Sequence, residues 1–200
     1  MKAPHPQLRP HSRTAPRRIR IIGGQWKRTP IPVPDAPGLR PTPDRVRETV
    51  FNWLAHLKPD TAALRGLDLY AGTGALGFEL ASRGAARVLL VERAPALLVQ
   101  MRALKDRLGA TQVEILAGDA LAVAGTLAAA SFDLVFLDPP YGLDVLPQAL
   151  LAARRLLAPG GLVYAEDDSP IDTDRASAAG FSVVRAARAG AVCFHLLVSH

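Results

Sequence analysis

Asp138-Pro139-Pro140-Tyr141 sets a carboxylate, a rigid backbone carbonyl and an aromatic ring side by side, directly after the apolar run Phe132-Asp133-Leu134-Val135-Phe136-Leu137. An acceptor carboxylate beside an aromatic face suits a flat ring that carries an amino group. The apolar run reads as a buried parallel strand, and two prolines cannot continue its hydrogen-bond ladder. The chain therefore leaves the sheet at Asp138, at a strand's carboxyl end, which is the edge where open α/β sheets bind ligands. Alone, the tetrapeptide describes a strand terminator with a packed tyrosine equally well.

A second group lies upstream, in Asp68-Leu69-Tyr70-Ala71-Gly72-Thr73-Gly74-Ala75-Leu76-Gly77. Gly72, Gly74 and Gly77 satisfy G-x-G-x-x-G between an expected strand and helix, where glycine permits a tight turn and close approach of backbone to ligand. Glu92 ends the next strand, where a carboxylate can accept two hydrogen bonds from a ribose diol. A nicotinamide dinucleotide and S-adenosyl-L-methionine both fit so far. Asp68, under the loop, repels a pyrophosphate and attracts an ammonium or sulfonium, which favours S-adenosyl-L-methionine. Asp119, in Gly118-Asp119-Ala120, is placed to accept from an adenine amino group. Structural roles stay open for both: Asp68 as a buttress of the loop, Asp119 as a helix N-cap.

The elements that must position these groups alternate. Expected strands are Leu64–Tyr70, Arg87–Val91, Gln112–Leu116, Phe132–Leu137 and Gly161–Ala165, with helices near 75–83, 95–108, 120–129 and 144–157 between them. That rhythm predicts a Rossmann-like α/β fold, a mostly parallel sheet with right-handed crossovers and helices on both faces. Phe181–Ala187 and Ala191–Val198 flank Arg188-Ala189-Gly190 and predict a closing antiparallel hairpin, which makes seven strands. A helix is expected from Pro43-Asp44 to about Leu57. Upstream, residues 1–18 read as a disordered basic tail and 19–42 as a short hairpin around Gly23-Gly24 or an extended arm, so that 43–200 form the main domain.

Charge is unevenly spread. Residues 1–60 carry twelve Lys and Arg against four Asp and Glu, whereas residues 61–200 carry twelve against fourteen. A basic arm on a slightly acidic body is the footprint of a polyanion binder. No apolar stretch is long enough to span a bilayer. Cys193 is the sole cysteine, which excludes an intrachain disulfide framework and suits a reducing, cytoplasmic setting. It reads as a small buried hydrophobe, and the histidines share no metal-binding spacing. Glu166-Asp167-Asp168 follows the last parallel strand and reads as a solvated loop, with a place on the substrate side as the alternative.

The order Asp68-x-x-x-Gly72-x-Gly74, Glu92, Asp119 and Asp138-Pro139-Pro140-Tyr141 resembles the class I methyltransferases that act on exocyclic amino groups. Arg20-Ile21-Ile22-Gly23-Gly24-Gln25-Trp26, Arg40-Pro41-Thr42-Pro43-Asp44-Arg45-Val46-Arg47-Glu48 and Phe51-Asn52-Trp53-Leu54 are similar, more specifically, to the RsmD family of 16S rRNA guanine-N2 methyltransferases. Departures are Pro43, where the family usually has Thr or Ser, and the tail before Arg18. Pro43 leaves any hydroxyl role there to Thr42.

The resemblance implies methyl transfer from S-adenosyl-L-methionine to a guanine amino group of 16S rRNA, free or in the assembling small subunit, by a monomer without metal. It implies a cofactor site of Asp68, Ala71, Gly72, Thr73, Gly74, Glu92, Arg93, Asp119 and Ala120 with Thr42, and a catalytic group of Asp138, Pro139, Pro140 and Tyr141. Arg20, Trp26, Lys27, Arg28, Arg40, Arg45 and Arg47 are the expected RNA contacts, Trp26 serving either as a base-stacking ring or as an anchor of the arm. Rival readings are a DNA amino-methyltransferase, a protein glutamine methyltransferase, a non-catalytic RNA-binding protein with a vestigial pocket, and a dehydrogenase.

Overall fold

The computed structural model describes residues 18–34, 42–140 and 145–200. Residues 1–17 of the expected tail, Arg40 and Tyr141 lie outside these; Arg18, expected in the tail, opens the first strand. In chain order the elements are β1 (Arg18–Arg20), β2 (Pro30–Pro32), α1 (Asp44–Leu57), β3 (Arg65–Asp68), α2 (Ala75–Ser82), β4 (Arg87–Glu92), α3 (Pro95–Leu108), β5 (Val113–Ala117), α4 (Ala120–Thr126), β6 (Phe132–Leu137), α5 (Leu146–Leu156), β7 (Leu157–Asp167), α6 (Thr173–Ala178), β8 (Phe181–Ala189) and β9 (Val192–Ser199).

The main sheet has seven strands in the order β5-β4-β3-β6-β7-β9-β8. Strands β3 to β7 run parallel, and β9 is antiparallel to β7 and to β8. Successive strands step outward from β3 to β5, after which the chain returns to lay β6 on the other side of β3. That reversal opens a crevice at the carboxyl ends of β3 and β6, the usual ligand position in such sheets.

Helices cover both faces. Val46, Val50, Phe51 and Leu54 of α1 recur at helical spacing and pack with α2, α3 and the arm's Ile19, Ile21 and Ile31 on one face. Leu146, Ala149, Leu150, Ala153 and Leu156 of α5 form the matching stripe on the other, together with α4 and α6. Every residue of α2 is buried, because the arm lies over the side that would otherwise meet water. Gly77 belongs to this packing: a Cβ there would sit 2.0 Å from Leu90 Cδ2.

The arm is a hairpin of β1 and β2, continued by the Ile21 N–H donating to the Thr29 carbonyl at 2.9 Å. Gly24 has φ of +76°, and a Cβ there would meet the Ser82 carbonyl oxygen at 1.8 Å. The Gly-Gly pair is thus where the arm's backbone presses against the end of α2.

Two expectations fail. The strand expected at Gly161–Ala165 runs to Asp167, so Glu166 belongs to the sheet and not to a loop. Helix α6 was not expected; Asp172 caps it by accepting the Arg175 N–H at 2.8 Å.

Candidate active site

Asp68 closes β3 with 1% of its surface exposed. Its Oδ2 accepts the Gly77 N–H at 3.2 Å, while Oδ1 is buried and has no hydrogen-bond partner among the described residues. Burial raises the carboxyl pKa to about 7, opposed by the Gly77 N–H and, more weakly, by the Tyr70 N–H, and helped by the charges of Glu92 and Glu166. An orphaned buried carboxylate oxygen calls for a donor, and a cationic ammonium is the group that would ionise it and offset its desolvation. The residues present therefore fit an amino-acid-bearing cation such as S-adenosyl-L-methionine.

Above Asp68, Gly72 (φ 55°) and Gly74 (φ 77°) hold the left-handed turns of the loop, and the Gly74 N–H donates to the Ala71 carbonyl at 2.6 Å. The Gly72 N–H donates to Glu92 Oε2, and the Arg93 and Ala94 N–H groups donate to Oε1, each at 2.8 Å. A carboxylate offers about four acceptor positions. Three backbone N–H groups already occupy positions on it, so engaging a ribose diol through both hydroxyls requires one of them to give way.

Asp119 is the N-cap of α4, its Oδ1 accepting the Leu121 and Ala122 N–H groups at 3.1 Å. Beside it lies Tyr70, half-buried, whose hydroxyl pKa is pushed up to about 12 by burial first and by the charge of Asp119, with Arg93 opposing. Tyr70, Arg93 and Asp119 thus share one corner of the crevice. Tyr70 was missing from the expected set, although an aromatic residue within the glycine-loop motif was a signal for it. Thr73 and Ala120 are buried beneath this surface.

Asp138 leaves the carboxyl end of β6 half-buried, with Pro139 buried and Pro140 exposed. The Thr42 hydroxyl donates to Asp138 Oδ2 at 3.1 Å. Thr42, expected beside the cofactor, here places its hydroxyl on the candidate catalytic carboxylate. Pro43 precedes α1 and makes no side-chain cap, so Thr42 is the residue of that pair with a hydroxyl to give.

Sequence reasoning preferred a loop for Glu166 over a place on the substrate side. The last register pair of β6 and β7 is Leu137 with Ala165, so Asp138 and Glu166 follow as neighbours one step further along the two strands. Glu166 is 2% exposed and accepts the Tyr164 hydroxyl at 2.7 Å. The Tyr164 ring in turn packs edge-on to Phe136. The alternation Leu162, Tyr164, Glu166 was the available sign that the strand continued.

Of the expected RNA contacts, Arg20, Lys27, Arg28 and Arg45 are exposed. Arg20 pairs with Asp44 at 3.1 Å. Trp26 is half-buried against the core, and its backbone N–H donates to Ser82 Oγ at 3.0 Å, as befits an anchor. Arg47 does not belong with them. It is wholly buried, bonded to Asp44 and facing Glu79, so its guanidinium is withdrawn from any phosphate.

Among the described residues, no group of three or more His, Cys, Asp or Glu could hold a metal ion, and no helix is long and apolar enough to cross a membrane. His195 is buried in β9, where its Nε2 accepts the Ile171 N–H at 3.1 Å. Cys193 is buried, as expected.

Comparison with known proteins agrees with this geometry. The family model described as Conserved hypothetical protein 95 matches residues 19–198. Ribosomal RNA small subunit methyltransferase D of Escherichia coli K12 is 43% identical over 155 residues, 75% of each chain. Its namesake in Haemophilus influenzae is 38% identical over 162 residues, covering 78% of this chain and 82% of the relative. A solved Escherichia coli structure described as methyltransferase yhhF superposes with a TM-score of 0.78 at 34% identity, covering 92% of this chain and 98% of that one. The buried carboxylate under a glycine loop, the Asp-Pro-Pro strand end beside it and these matches converge: the chain is a methyltransferase of the RsmD family.

Proposed function

We propose that this chain uses S-adenosyl-L-methionine to methylate the exocyclic N2 of one guanine in 16S rRNA. The observation that carries the reading is the placement of Asp138 at the carboxyl end of β6, next in the sheet to β3, whose Asp68 has the unpartnered buried oxygen. The relatives' names supply the class of RNA. Asp68, the Ala71–Gly74 loop, Glu92, Arg93 and the Asp119–Ala120 corner with Tyr70 would hold the cofactor, which supplies a methyl group on a positively charged sulfur.

The amino nitrogen of guanine is a poor nucleophile because its lone pair is delocalised into the ring. The Asp138 carboxylate and the Pro139 carbonyl would accept its two N–H bonds, pyramidalise the nitrogen and aim its lone pair. Fixed acceptors of this kind act through positioning and electrostatics. Positive charge developing on the nitrogen favours an ionised Asp138, which then takes or relays the proton. Tyr141 would stack on the base once it leaves its helix, offsetting part of an unstacking cost of about a few kcal/mol. Arg20, Lys27, Arg28, Arg40 and Arg45 would meet phosphates.

Incubating the protein with labelled cofactor and, separately, small ribosomal subunits, naked 16S rRNA and DNA, then mapping the modified base, tests this directly. Label on one guanine N2 of the rRNA is the expected result. Label on DNA, or on an adenine or cytosine, would overturn it.

A further inference from the structure

We propose that Arg47 is a positioning residue for Asp138, acting through Thr42 to tie the orientation of that carboxylate to the docking of the N-terminal arm. The proposal rests on the reading of Asp138 as acceptor for the substrate's amino group. Arg47 is wholly buried, and burying a charge is costly unless it is paired and hydrogen-bonded. Its Nε donates to the Thr42 carbonyl at 3.3 Å and its Nη2 to Asp44 Oδ1. Its Nη1 lies 3.6 Å from Glu79 Oε2. Burial pulls the guanidinium pKa below its usual range, with Asp44 and Glu79 opposing.

Glu79 is itself wholly buried in α2. It accepts the arm's Ile22 and Gly23 N–H groups at 2.6 and 2.9 Å and the Arg83 Nε at 2.8 Å. At the other end, the Thr42 hydroxyl donates to Asp138 Oδ2 at 3.1 Å. Polar contacts therefore run from the arm's backbone to Glu79 and from Arg47 through Thr42 to Asp138, joined by the Glu79–Arg47 ion pair, in which the buried Nη1 has no hydrogen-bond partner among the described residues. The Arg47 Nε holds the Thr42 carbonyl while Nη2 holds Asp44, and Pro43, with φ of −58°, stiffens the step into α1. Thr42 is thereby held where its hydroxyl meets one carboxylate oxygen. Lysine would keep the charge but not the fork.

A hydrogen bond donated to a carboxylate favours its ionised form. Asp68 on β3 and Glu166 on β7 lie at the neighbouring strand ends, and the Thr42 hydroxyl is a donor to the carboxylate between them. Removing it moves the acid limb of the turnover profile to higher pH.

The test measures kcat against pH, cofactor Kd, RNA KM and Tm for Thr42→Val, Thr42→Ser, Arg47→Lys, Thr42→Val with Arg47→Lys, and Asp138→Asn. Thr42→Val is expected to lower kcat by about tenfold, with cofactor Kd and RNA KM within about twofold, to shift the acid limb upward, and to be rescued by Thr42→Ser. Arg47→Lys should lower kcat, yet add little to Thr42→Val. An unshifted Thr42→Val, or independent additive losses in the double variant, overturns the proposal. If Arg47→Lys does not fold, Thr42→Val and its serine rescue decide alone. Asp138→Asn separates the two readings. Near-normal turnover there removes the catalytic reading and this proposal with it; an inactive Asp138→Asn beside an unaffected Thr42→Val removes this proposal only.

Discussion

At the cofactor edge of the crevice, carboxylates are held by backbone groups within 20 residues of them in sequence. Gly77 serves Asp68, Gly72, Arg93 and Ala94 serve Glu92, and Leu121 and Ala122 serve Asp119. At the substrate edge the holding groups are distant. Asp138 takes a bond from Thr42, 96 residues earlier, and Glu79 binds the arm's N–H groups across 57 and 56 residues. The first edge is built by loop geometry that glycine spacing encodes. The second is built by charges brought together only when the arm, α1 and α2 pack. The difference teaches that the cofactor edge can form locally, whereas the substrate edge depends on the arm being in place.

Asp138→Ala should give the largest effect on activity. Losing a fixed acceptor aimed at the reacting nitrogen should cost about 10²–10³-fold in turnover, with cofactor affinity, read by titration calorimetry, close to that of the unaltered protein. A matching loss of cofactor affinity would merge the two edges into one site and break the distinction.

Glu79→Ala tests the substrate edge through stability. It leaves the Arg47 guanidinium buried with fewer partners, and breaking a buried pair in this way costs about 3–5 kcal/mol, measured by urea unfolding. The Arg87–Glu114 pair provides the contrast. Its side chains are 51% and 50% exposed, so Glu114→Ala should cost no more than about 1 kcal/mol. Equal costs would mean that the Glu79 cluster is no more than a surface ion pair.

What was legible in the sequence follows the same division. Apolar runs, glycine spacing and prolines are short-range signals, and they placed β3, β4, β6, the loop, Glu92 and the strand end at Asp138. The parallel sheet and its closing hairpin followed from the alternation. Arg47 was not legible, because an arginine in a basic stretch reads as surface unless the buried Glu79 opposite it is known. Glu166 was misplaced because three successive acids, Glu166-Asp167-Asp168, read as solvated, although only the first alternates in phase with Leu162 and Tyr164. The Thr42 contact with Asp138 spans a separation that no local pattern encodes.

Asp68 sharpens the cofactor edge through pH. Its pKa is raised from 3.8 to about 7, so between those values the folded chain holds a proton that the unfolded chain has lost. Its contribution is present at low pH and is lost as pH rises towards about 7, so the unliganded protein should lose stability across that window. Cofactor binding should follow the opposite course. A cationic group prefers the ionised carboxylate, so affinity should rise by up to about tenfold per pH unit below about 7 and then level off. Asp68→Asn should flatten both profiles and weaken cofactor binding. A pH-independent Kd in the unaltered protein would show that Asp68 does not meet the ligand's cation.

The smallest effects belong to the exposed cations of the arm and α1. With Arg47 withdrawn, Arg20, Lys27, Arg28 and Arg45 remain exposed among the described residues. If all four meet phosphates, the slope of log affinity against log salt should be roughly −3 to −4, and each removal should lower its magnitude by about 0.7–0.9. Arg20→Ala should cost less affinity than Lys27→Ala, because Arg20 must first leave Asp44. Arg28 occupies a left-handed turn with φ of 70°, so Arg28→Gly removes the charge while easing the backbone. A fall in slope with unchanged or higher Tm in Arg28→Gly would therefore report phosphate contact and not a damaged arm. An unchanged slope in Lys27→Ala and Arg28→Gly alike would move the RNA surface off the hairpin turn, leaving the arm to act on the substrate edge from within.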